Sequence, residues 1–361
     1  MNTFGNKVTL TTFGESHGPA LGGVLDGIPA GVALDMEQIQ RQMARRRPGQ
    51  SAITTARKEA DTVELLSGVF EGRTTGTPIG FIIRNSDQHS ADYDNLRHVF
   101  RPSHADYTYF MKYGVRDHRG GGRSSARETA VRVAAGAIAM QVLAARGISV
   151  CSYTSQVGDI RLDKPYAELD LAAVDSNAVR CPDADTARRM IALIEQVKRE
   201  GDTVGGVVTG VIRGLRPGVG EPMFDKLQAR LAYAMLSINA AKGFDYGMGF
   251  DGVGRRGSQM NDAFVRSSDP VRPLRTATNH SGGIQGGISN GEDVYFRVAF
   301  KPVATLLRPM STFDDEFRPV TVQPRGRHDA CVLPRAVPVV DAMAALVTLD
   351  LVESVGDNAK M

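Results

Sequence analysis

Tryptophan is absent from this sequence, and only three of its 361 residues are cysteine. Cys151, Cys181 and Cys331 lie far apart and form no C-x-x-C pair. An odd number of widely spaced cysteines is typical of reduced packing residues in a cytoplasm, and it disfavours a disulfide or zinc framework. The sequence also lacks H-x-H and H-E-x-x-H patterns and clusters of carboxylates, so it predicts no metal site.

Long apolar runs and a large excess of charge of either sign are missing as well. No apolar run approaches the roughly 20 residues that span a bilayer, and residues 1–15 lack the basic and apolar regions of a secretion signal. We therefore expect a cytoplasmic protein without a membrane segment. The formal net charge is only +3, so overall electrostatics does not predict a nucleic-acid partner.

Glycine and locally clustered arginine are what the sequence has in quantity. The chain is 42% hydrophobic and 23% charged, as globular proteins are, and it contains 39 glycines. Such arginine clusters can be solvated surface, but arginine among glycines also suits small anions, because the guanidinium group pairs bidentately with phosphate and carboxylate. The clustered arginines are Arg45, Arg46, Arg47, Arg116, Arg119, Arg123, Arg127 and Arg132.

Strand and helix patterns alternate along the chain, and no Pro- or Ser-rich linker divides it. Asp35 is the expected N-cap of the first helix, and Gly147 is expected to end the second. Strands are predicted at residues 8–12, 21–28, 63–70 and 79–84. Helices are predicted at residues 35–47, 125–146, 186–199, 225–239 and 337–352. Regularity is low at residues 86–123, 253–283 and 308–327.

Three pairs of segments resemble each other and occur in the same order in both halves of the chain. The pairs are residues 22–31 with 205–218, 68–84 with 282–298, and 123–139 with 327–343. Three pairs in order predict a duplicated unit with pseudo-two-fold symmetry, with halves at about 1–200 and 201–361 of a single domain that covers 1–361. A cleft between the halves would be lined by both segments of the third pair, each of which begins with arginine.

Residues 14–18 read Gly-Glu-Ser-His-Gly, which matches the G-x-S-x-G nucleophile elbow of hydrolases. That elbow needs a helix directly after the serine, whereas Pro19 and a strand-like run follow here, and only 15 residues precede Ser16. We therefore expect a loop between two strands, in which the glycines bring Glu15, Ser16 and His17 to a ligand. A hydrolase that uses Ser16 and a tight hairpin with incidental polar residues stay as alternatives.

Residues 119–129, RGGGRSSARET, run from glycines into a predicted helix, with Ser124 or Ser125 at its N-cap. Helix N-termini attract phosphate through their free N–H groups and the helix dipole. The segment is not a Walker A loop, because no Gly-Lys-Ser/Thr follows, and no strand enters it as in a Rossmann motif. A nucleic-acid binder is a further alternative, which the absence of Trp and the 6% aromatic content disfavour.

Seven segments, taken together and in order, resemble the chorismate synthase family. They are TTFGESHGPALGGVLDGIP, RRRPG, FRPSHADYTY, YGVRDHRGGGRSSARETAVRVAAGAIA, SINAAKGFDYGMGF, NHSGGIQGGISNG and GRHDACVLPRAVPVVDAM, and they extend from about residue 5 to about residue 350. The resemblance implies a single-domain α/β (α+β) fold. This fold is a β-α-β sandwich with internal duplication, in which helices pack between two sheets. It also implies a homotetramer.

The resemblance further implies a carbon–oxygen lyase that catalyses the last step of the shikimate pathway, toward the aromatic amino acids. In that reaction 5-enolpyruvylshikimate 3-phosphate loses phosphate and a C6 proton by anti-1,4-elimination and gives chorismate. The reaction requires reduced FMN (FMNH2) without net redox change, and either NADPH or a separate flavin reductase would supply the electrons. Two carboxylates and two phosphates in one site require several cations, and the arginine clusters would provide them.

Residue roles follow from the same resemblance. His17 is expected near the substrate phosphate, His104 is expected to protonate the reduced flavin, and Asp329 is expected to assist proton removal. Arg46 matches a position that contacts NADPH in relatives, and Arg47 and Arg127 are expected to reach the substrate. The expected FMN contacts are Arg123, Ser124, Ser125, Asn239, Ala240, Gly286, Lys301, Pro302, Val303, Ala304, Thr305 and Arg327.

Several positions depart from the family pattern, among them Asp341, where many relatives carry Glu. Position 52 is Ala, where relatives often carry a second basic residue, and this puts a dinucleotide contact there in doubt. Val303 and Ala304 could contribute only backbone contacts to a flavin.

Overall fold

Two five-stranded antiparallel sheets form the outer layers of the fold, and helices lie between them. The computed structural model describes residues 1–51, 53–54, 60–86, 94–269, 272–324 and 329–355. The strands before residue 101 are β1 (Thr3–Phe4), β2 (Thr9–Gly14), β3 (Ala20–Asp26), β4 (Val63–Leu65), β5 (Val69–Phe70), β6 (Arg73–Thr74), β7 (Ile79–Arg84) and β8 (Val99–Phe100). The helices are α1 (Met36–Arg46), α2 (Asp106–Tyr113), α3 (Thr129–Ala144), α4 (Ala184–Arg199), α5 (Leu227–Leu236), α6 (Gly257–Met260) and α7 (Leu333–Val355).

The second half of the chain supplies the second sheet and several short hairpins. Its strands are β9 (Ser149–Val157), β10 (Ile160–Arg161), β11 (Gly206–Arg213), β12 (Ala241–Tyr246), β13 (Phe264–Arg266), β14 (Leu274–Thr276), β15 (Ile284–Gln285), β16 (Ile288–Ser289), β17 (Val294–Phe300), β18 (Met310–Asp314) and β19 (Pro319–Val322). The first sheet has the order β1-β2-β3-β7-β4, and the second has the order β10-β9-β11-β17-β12.

The core lies where α3 and α7 pack against each other between the sheets. α3 contacts β2, β3 and β7 of the first sheet, and α7 contacts β9 and β11 of the second. Alternate residues of the strands point inward, such as Ile79, Phe81 and Ile83 on β7. Both helices are covered on all sides, which explains their Ala- and Val-rich sequences. The predicted layer order, with helices packed between two sheets, is confirmed.

Close packing of α3 on α7 depends on Gly136. A Cβ at this position would lie 2.3 Å from the Cβ of Ala342 and 2.4 Å from its Cα. We expect Gly136→Ala to lower the free energy of unfolding by about 1–3 kcal/mol, because overpacking outweighs the gain in helix propensity. Denaturant unfolding measures this, with Gly254→Ala as the control because a Cβ there meets nothing within 4 Å. An unchanged or raised stability for Gly136→Ala would contradict the expectation.

Pro338 lies inside α7 and has no N–H to bond the carbonyl of Pro334 one turn earlier. The Arg180 guanidinium donates to that carbonyl instead. Arg180 itself has a positive φ of 58° and also pairs with Asp175, at 2.9 Å. A side chain from the loop before α4 therefore replaces the helix bond that proline removes.

The element order repeats between the two halves. With α2, α4, α6 and the shorter strands left aside, the order is β2, β3, α1, β4, β7, α3 in the first half and β9, β11, α5, β12, β17, α7 in the second. The corresponding strands also occupy the same places in the two sheets. We propose, from this order, a duplication whose halves meet near residue 148. The boundary near residue 200 expected from the sequence does not fit the topology, because β9 begins at Ser149 and already belongs to the second sheet.

Most helices lie where the sequence predicts them, with shifted ends. The helix predicted at 125–146 begins at Thr129, because two 3-10 turns, Gly122–Ser124 and Ala126–Glu128, precede it. The helix predicted at 337–352 extends over Leu333–Val355. The low-regularity stretches contain α2, α6, β8, β13, β14, β18 and β19, which sequence reasoning missed. None of the helices in the described part of the chain has the length and apolar character needed to cross a membrane.

Candidate active site

A cavity of about 430 Å³ lies where α3 and α7 begin. The chain reaches it from six directions: the end of α1, the loop before α2, the glycine-rich loop before α3, the turn after α5, the segment after β17, and the start of α7. Thirteen residues selected from the sequence line it. They are Arg46, His104, Ser124, Ser125, Arg127, Asn239, Ala240, Lys301, Pro302, Val303, Ala304, Thr305 and Asp329.

Four selected residues that the structure describes are not part of this lining, and a fifth lies outside the described residues. His17 lies behind Gly120, and Arg123 points away, toward β2, where it donates to Thr12 Oγ1 at 2.7 Å. Arg47 is exposed, and Gly286 is exposed in the β15–β16 hairpin. Arg327 lies outside the described residues, as do His328 and Ala52.

The cavity is strongly basic. Its described lining contains five Arg or Lys side chains and one carboxylate, Asp329. The first turns of α3 and α7 both contribute lining residues, so the positive ends of two helix dipoles face the same space. Among the described residues, no group of three or more His, Cys, Asp or Glu could hold a metal ion. The arrangement is suited to an anion that carries several negative charges. The basic members are Arg46, Arg101, Arg127, Lys301 and Arg335.

Asp61 ties two of these arginines together beneath the cavity floor. Its carboxylate accepts from Arg46 Nη1 at 2.9 Å and from Arg127 Nη1. The side chains of Asp61 and Arg46 are 0% and 1% exposed. Burial alone would raise the pKa of Asp61, but the two guanidinium groups hold it below its usual range. Burial, with Arg335 and Arg127 nearby, lowers the pKa of Arg46, and Asp61 opposes that shift.

Every guanidinium nitrogen of Arg46 already donates to a partner within the chain, so three of its five N–H groups are engaged. Besides the bond to Asp61, Nε donates to Thr129 Oγ1 at 3.2 Å and Nη2 donates to the Ala126 carbonyl at 3.1 Å. These bonds attach the end of α1 to the start of α3. Arg46 therefore shapes the cavity floor by holding the first turn of α3 in place.

His17 lies in the loop between β2 and β3 and is only 6% exposed. Ser16 Oγ is 3.1 Å from its Nδ1, and the Asn85 amide donates to the carbonyls of Glu15 and Gly18. Gly120 has a φ of +68°, and a Cβ there would lie 2.3 Å from His17 Cε1. Only glycine lets the backbone of this cavity-lining residue approach the ring so closely. His17 is thus separated from the cavity by the thickness of one backbone segment.

The Gly-Glu-Ser-His-Gly segment is a loop between strands, as expected. β2 ends at Gly14 and β3 begins at Ala20, so no helix follows Ser16. The hydrolase interpretation lacks the strand–turn–helix geometry that a nucleophile elbow requires.

His104 and Asp329 approach the cavity with charged partners behind them. His104 Nδ1 lies 3.0 Å from Asp106 Oδ1, and Arg101 binds the same carboxylate. Asp329 Oδ2 accepts from Arg335 Nη1 at 2.5 Å, and Arg335 Nε donates to the Arg46 carbonyl at 3.2 Å. His104 is therefore held by Asp106, and Asp329 is held by Arg335. Neither of these two charged partners was selected from the sequence.

One wall of the cavity contains a buried polar atom without a hydrogen-bond partner among the described residues, next to apolar side chains. Asn239 Nδ2 donates to the Ser124 carbonyl at 3.0 Å, while the buried Asn239 Oδ1 has no hydrogen-bond partner among the described residues. A buried acceptor without a partner is costly, and a ligand donor would satisfy it. Ile238, Val332 and Val339 line the same cavity. A flat, partly apolar group with N–H donors fits these residues.

Sequence reasoning missed four residues that organise the site: Arg101, Asp106, Asp61 and Arg335. Arg101 and Asp106 flank His104 in the quoted FRPSHADYTY segment, so their proximity was available as a signal. Asp61 is 15 residues from Arg46 and 66 from Arg127, and no local pattern connects them. Arg335 lies six residues after Asp329, in the first turn of α7.

Comparison with known proteins agrees with the fold. A family model described as chorismate synthase matches residues 8–352. A chorismate synthase of Azobacteroides pseudotrichonymphae is 60% identical over 350 residues, which cover 97% of this chain and 98% of that protein. A chorismate synthase of Bacteroides thetaiotaomicron is 59% identical over 349 residues, 97% of each chain. A crystal structure of chorismate synthase superposes with a TM-score of 0.78 at 30% identity and covers 98% of this chain and 94% of its own. The chain therefore belongs to the chorismate synthase family.

Proposed function

We propose that the cavity at the start of α3 and α7 binds 5-enolpyruvylshikimate 3-phosphate together with reduced FMN, and that the elimination takes place there. Family membership makes the chain a lyase of the shikimate pathway, which forms chorismate by loss of phosphate in the last step of that pathway. The observation that carries the location is the set of five basic side chains in the lining, next to two helix N-termini, which outnumbers the three carboxylates Asp61, Asp106 and Asp329 that pair with four of them.

The charges of the substrate explain why such a cavity is needed. Two carboxylates and a phosphate lose their hydration when they are buried, and only fixed cations and N–H groups offset that cost. Arg127 is positioned by Asp61 and by Asn85 Oδ1, which accepts from its Nε at 2.9 Å. Because its partners fix its orientation before the substrate arrives, Arg127 stabilises charge without reorganising during the reaction.

The residues present fit the isoalloxazine and phosphate of FMN. Asn239 Oδ1 offers an unsatisfied acceptor, Ser124 and Ser125 precede the first turn of α3, and residues 301–305 supply backbone groups and the Lys301 ammonium. When bound, reduced FMN supplies transient electron density for the departure of phosphate, without net redox change. Arg123 and Gly286 lie outside the cavity lining and Arg327 lies outside the described residues, so their contacts with FMN stay predictions.

In this proposal, side chains of the protein donate and accept the protons of the reaction. Asp329, oriented by Arg335, accepts or relays the proton that leaves C6. His104 holds a proton beside the flavin. His17 lies behind Gly120, outside the cavity lining, so its predicted donation to the departing phosphate requires the phosphate to reach the far side of the Gly120 segment. The roles of Asp329, His104 and His17 stay predictions.

The source of electrons is proposed to be a separate flavin reductase. Arg46, the residue expected to contact NADPH, is buried and uses its guanidinium for Asp61, Thr129 and Ala126. Arg47 is exposed and remains a candidate contact for the substrate or a dinucleotide. We further propose a cytoplasmic homotetramer without a nucleic-acid partner, as the resemblance implies.

Phosphate release tests the proposed function. Under anaerobic conditions, the protein with 5-enolpyruvylshikimate 3-phosphate and reduced FMN is expected to release phosphate and form chorismate. Oxidised FMN alone should give neither product. Ser16→Ala should retain the ability to turn over, because Ser16 forms no covalent intermediate. Equal phosphate release without flavin, or its complete loss in a folded Ser16→Ala protein, would contradict the proposal in favour of a hydrolase.

A further inference from the structure

A buried carboxylate lies directly behind the cavity histidine His104. Asp106 is the first residue of α2, and its side chain is only 1% exposed. Its Oδ2 accepts from Arg101 Nε at 2.7 Å, and its Oδ1 accepts from Arg101 Nη2 at 2.9 Å. Oδ1 also lies 3.0 Å from Arg116 Nη1 and 3.0 Å from His104 Nδ1. The carboxylate therefore has a fixed place and orientation before any ligand binds.

The charge of Asp106 determines which protonation state of His104 Nδ1 makes their 3.0 Å contact favourable. Burial alone would raise the pKa of Asp106, but hydrogen bonds from Arg101 and His104 and their charges hold it well below its usual range. An ionised carboxylate only accepts hydrogen bonds. An unprotonated Nδ1 would place one acceptor against another at 3.0 Å. The contact is favourable only when Nδ1 carries a proton.

Arg101 competes for the same nitrogen, since its Nη2 lies 3.2 Å from His104 Nδ1 in hydrogen-bond geometry, whereas Asp106 Oδ1 lies 3.0 Å from Nδ1 at ion-pair distance. However, Nη2 is closer to Asp106 Oδ1, at 2.9 Å, and bonds to a carboxylate are the stronger ones. The other edge of the imidazole lies beside Gly121, where a Cβ would be 3.4 Å from Cε1 and 3.9 Å from Nε2. His104 thus presents Nδ1 to Asp106, and its opposite edge lies toward the glycine loop that borders the cavity.

We propose that Asp106 is a positioning residue that holds the Nδ1 proton of His104, so that His104 exchanges protons with the cavity through Nε2 alone. A single proton moves: Nε2 gives it to the bound group and later takes one back, while Nδ1 keeps its proton and Asp106 stays ionised. The effect on rate rests on the proposed role of His104 beside the flavin. The tautomer itself depends only on Asp106, Arg101 and His104.

Solid-state nitrogen NMR of the full chain, labelled with ¹⁵N-histidine and free of flavin, tests the proposal. At about pH 9 an imidazole is neutral and its tautomer is visible. The signals of His104 are assigned by their loss in His104→Gln. We expect wild-type His104 to carry its proton on Nδ1, and Asp106→Asn to shift it toward Nε2, because Arg101 Nη2 is then the remaining charged neighbour of Nδ1. A wild-type His104 that carries its proton on Nε2 would overturn the proposal.

Two control variants separate positioning from folding. Asp315 Oδ2 lies 2.8 Å from His98 Nδ1 outside the cavity, so Asp315→Asn removes the same kind of contact and should leave His104 unchanged. Arg116→Gln removes one partner of Asp106 but leaves its contact with His104, so the tautomer should persist even if stability falls. A shifted tautomer in Arg116→Gln equal to that in Asp106→Asn would mean that general loosening, not the carboxylate, controls His104.

Turnover gives the second readout. Asp106→Asn should lower kcat by about tenfold to hundredfold with little change in KM, as other residues that orient a functional histidine do. Asp106→Glu, which restores the carboxylate, should recover part of the loss. A folded Asp106→Asn enzyme with wild-type kcat would overturn the proposal. A wild-type protein that releases phosphate without reduced flavin would overturn the proposed function instead and leave the tautomer result standing.

Discussion

Replacing Asp61 by asparagine is expected to lower the free energy of unfolding by about 3–5 kcal/mol, since it leaves two buried guanidinium groups without their shared counter-charge. Arg46 and Arg127 both bind this carboxylate, and its side chain is 0% exposed. Asparagine keeps the shape of the side chain and tolerates the φ of +52° found at Asp61, so the variant isolates the loss of charge. Urea unfolding at neutral pH measures the difference.

The same carboxylate gives the wild type an acid-dependent stability. The pKa of Asp61 is lowered in the folded state, so its contribution is fully present above the unfolded pKa of about 3.9 and is lost as the pH falls through the folded value. Asp61→Asn should therefore lose less stability between about pH 5 and pH 2 than the wild type does. If the free energy of unfolding of Asp61→Asn fell as steeply with decreasing pH as that of the wild type, this assignment would be contradicted.

Glu64→Gln is the matched control for Asp61→Asn. Glu64 pairs with Arg84 at 2.7 Å, but the two side chains are 41% and 68% exposed. Exposed pairs contribute about 0–1 kcal/mol because water screens them. If Asp61→Asn cost no more than Glu64→Gln, the buried cluster would not be a stabilising element of the fold. Asp61→Asn should also lower the affinity for substrate, because Arg127 would lose the carboxylate that orients it.

Elements that are defined by local patterns could be predicted from the sequence. The β7 residues 79–84 alternate inward and outward, and the predicted range is the observed one. Asp35 caps α1 by accepting from the N–H groups of Glu37 and Gln38, as its position before the helix indicates. α4 ends at Arg199, as predicted. In each case the signal lies within a few residues of the element, so a single sequence contains it.

Elements that depend on distant contacts could not be predicted in this way. α2 begins without a capping side chain, and its first residue is held by Arg101 and Arg116. β8 is short and pairs with β18, more than 200 residues later. The cavity brings together loops from both halves, and loops carry no periodicity. The candidate site was therefore identified through the quoted motifs, whereas the carboxylates and the arginine that orient it, Asp61, Asp106 and Arg335, required the structure.

His17→Ala and His104→Ala are expected to fail in different ways, although both should lower the rate of elimination by about 10²–10⁴-fold. His17 lies behind Gly120 and does not line the cavity, so its removal should leave flavin binding nearly intact, while the loss of its predicted proton donation slows phosphate release. His104 lines the cavity together with Asn239 and residues 301–305. Its removal should also change the absorbance spectrum of bound reduced flavin.

Stopped-flow absorbance and thermal melts together distinguish these roles from simple bracing of two loops. If the histidines only supported their loops, each variant would lose thermal stability and flavin affinity together, with no change in the flavin spectrum. His98→Ala serves as the control, because His98 is an exposed histidine whose partner Asp315 lies outside the cavity lining. A folded His17→Ala or His104→Ala variant with near-wild-type turnover would remove that residue from the mechanism. A spectral change in His17→Ala equal to that in His104→Ala would show that the thin backbone at Gly120 does not separate the two functions.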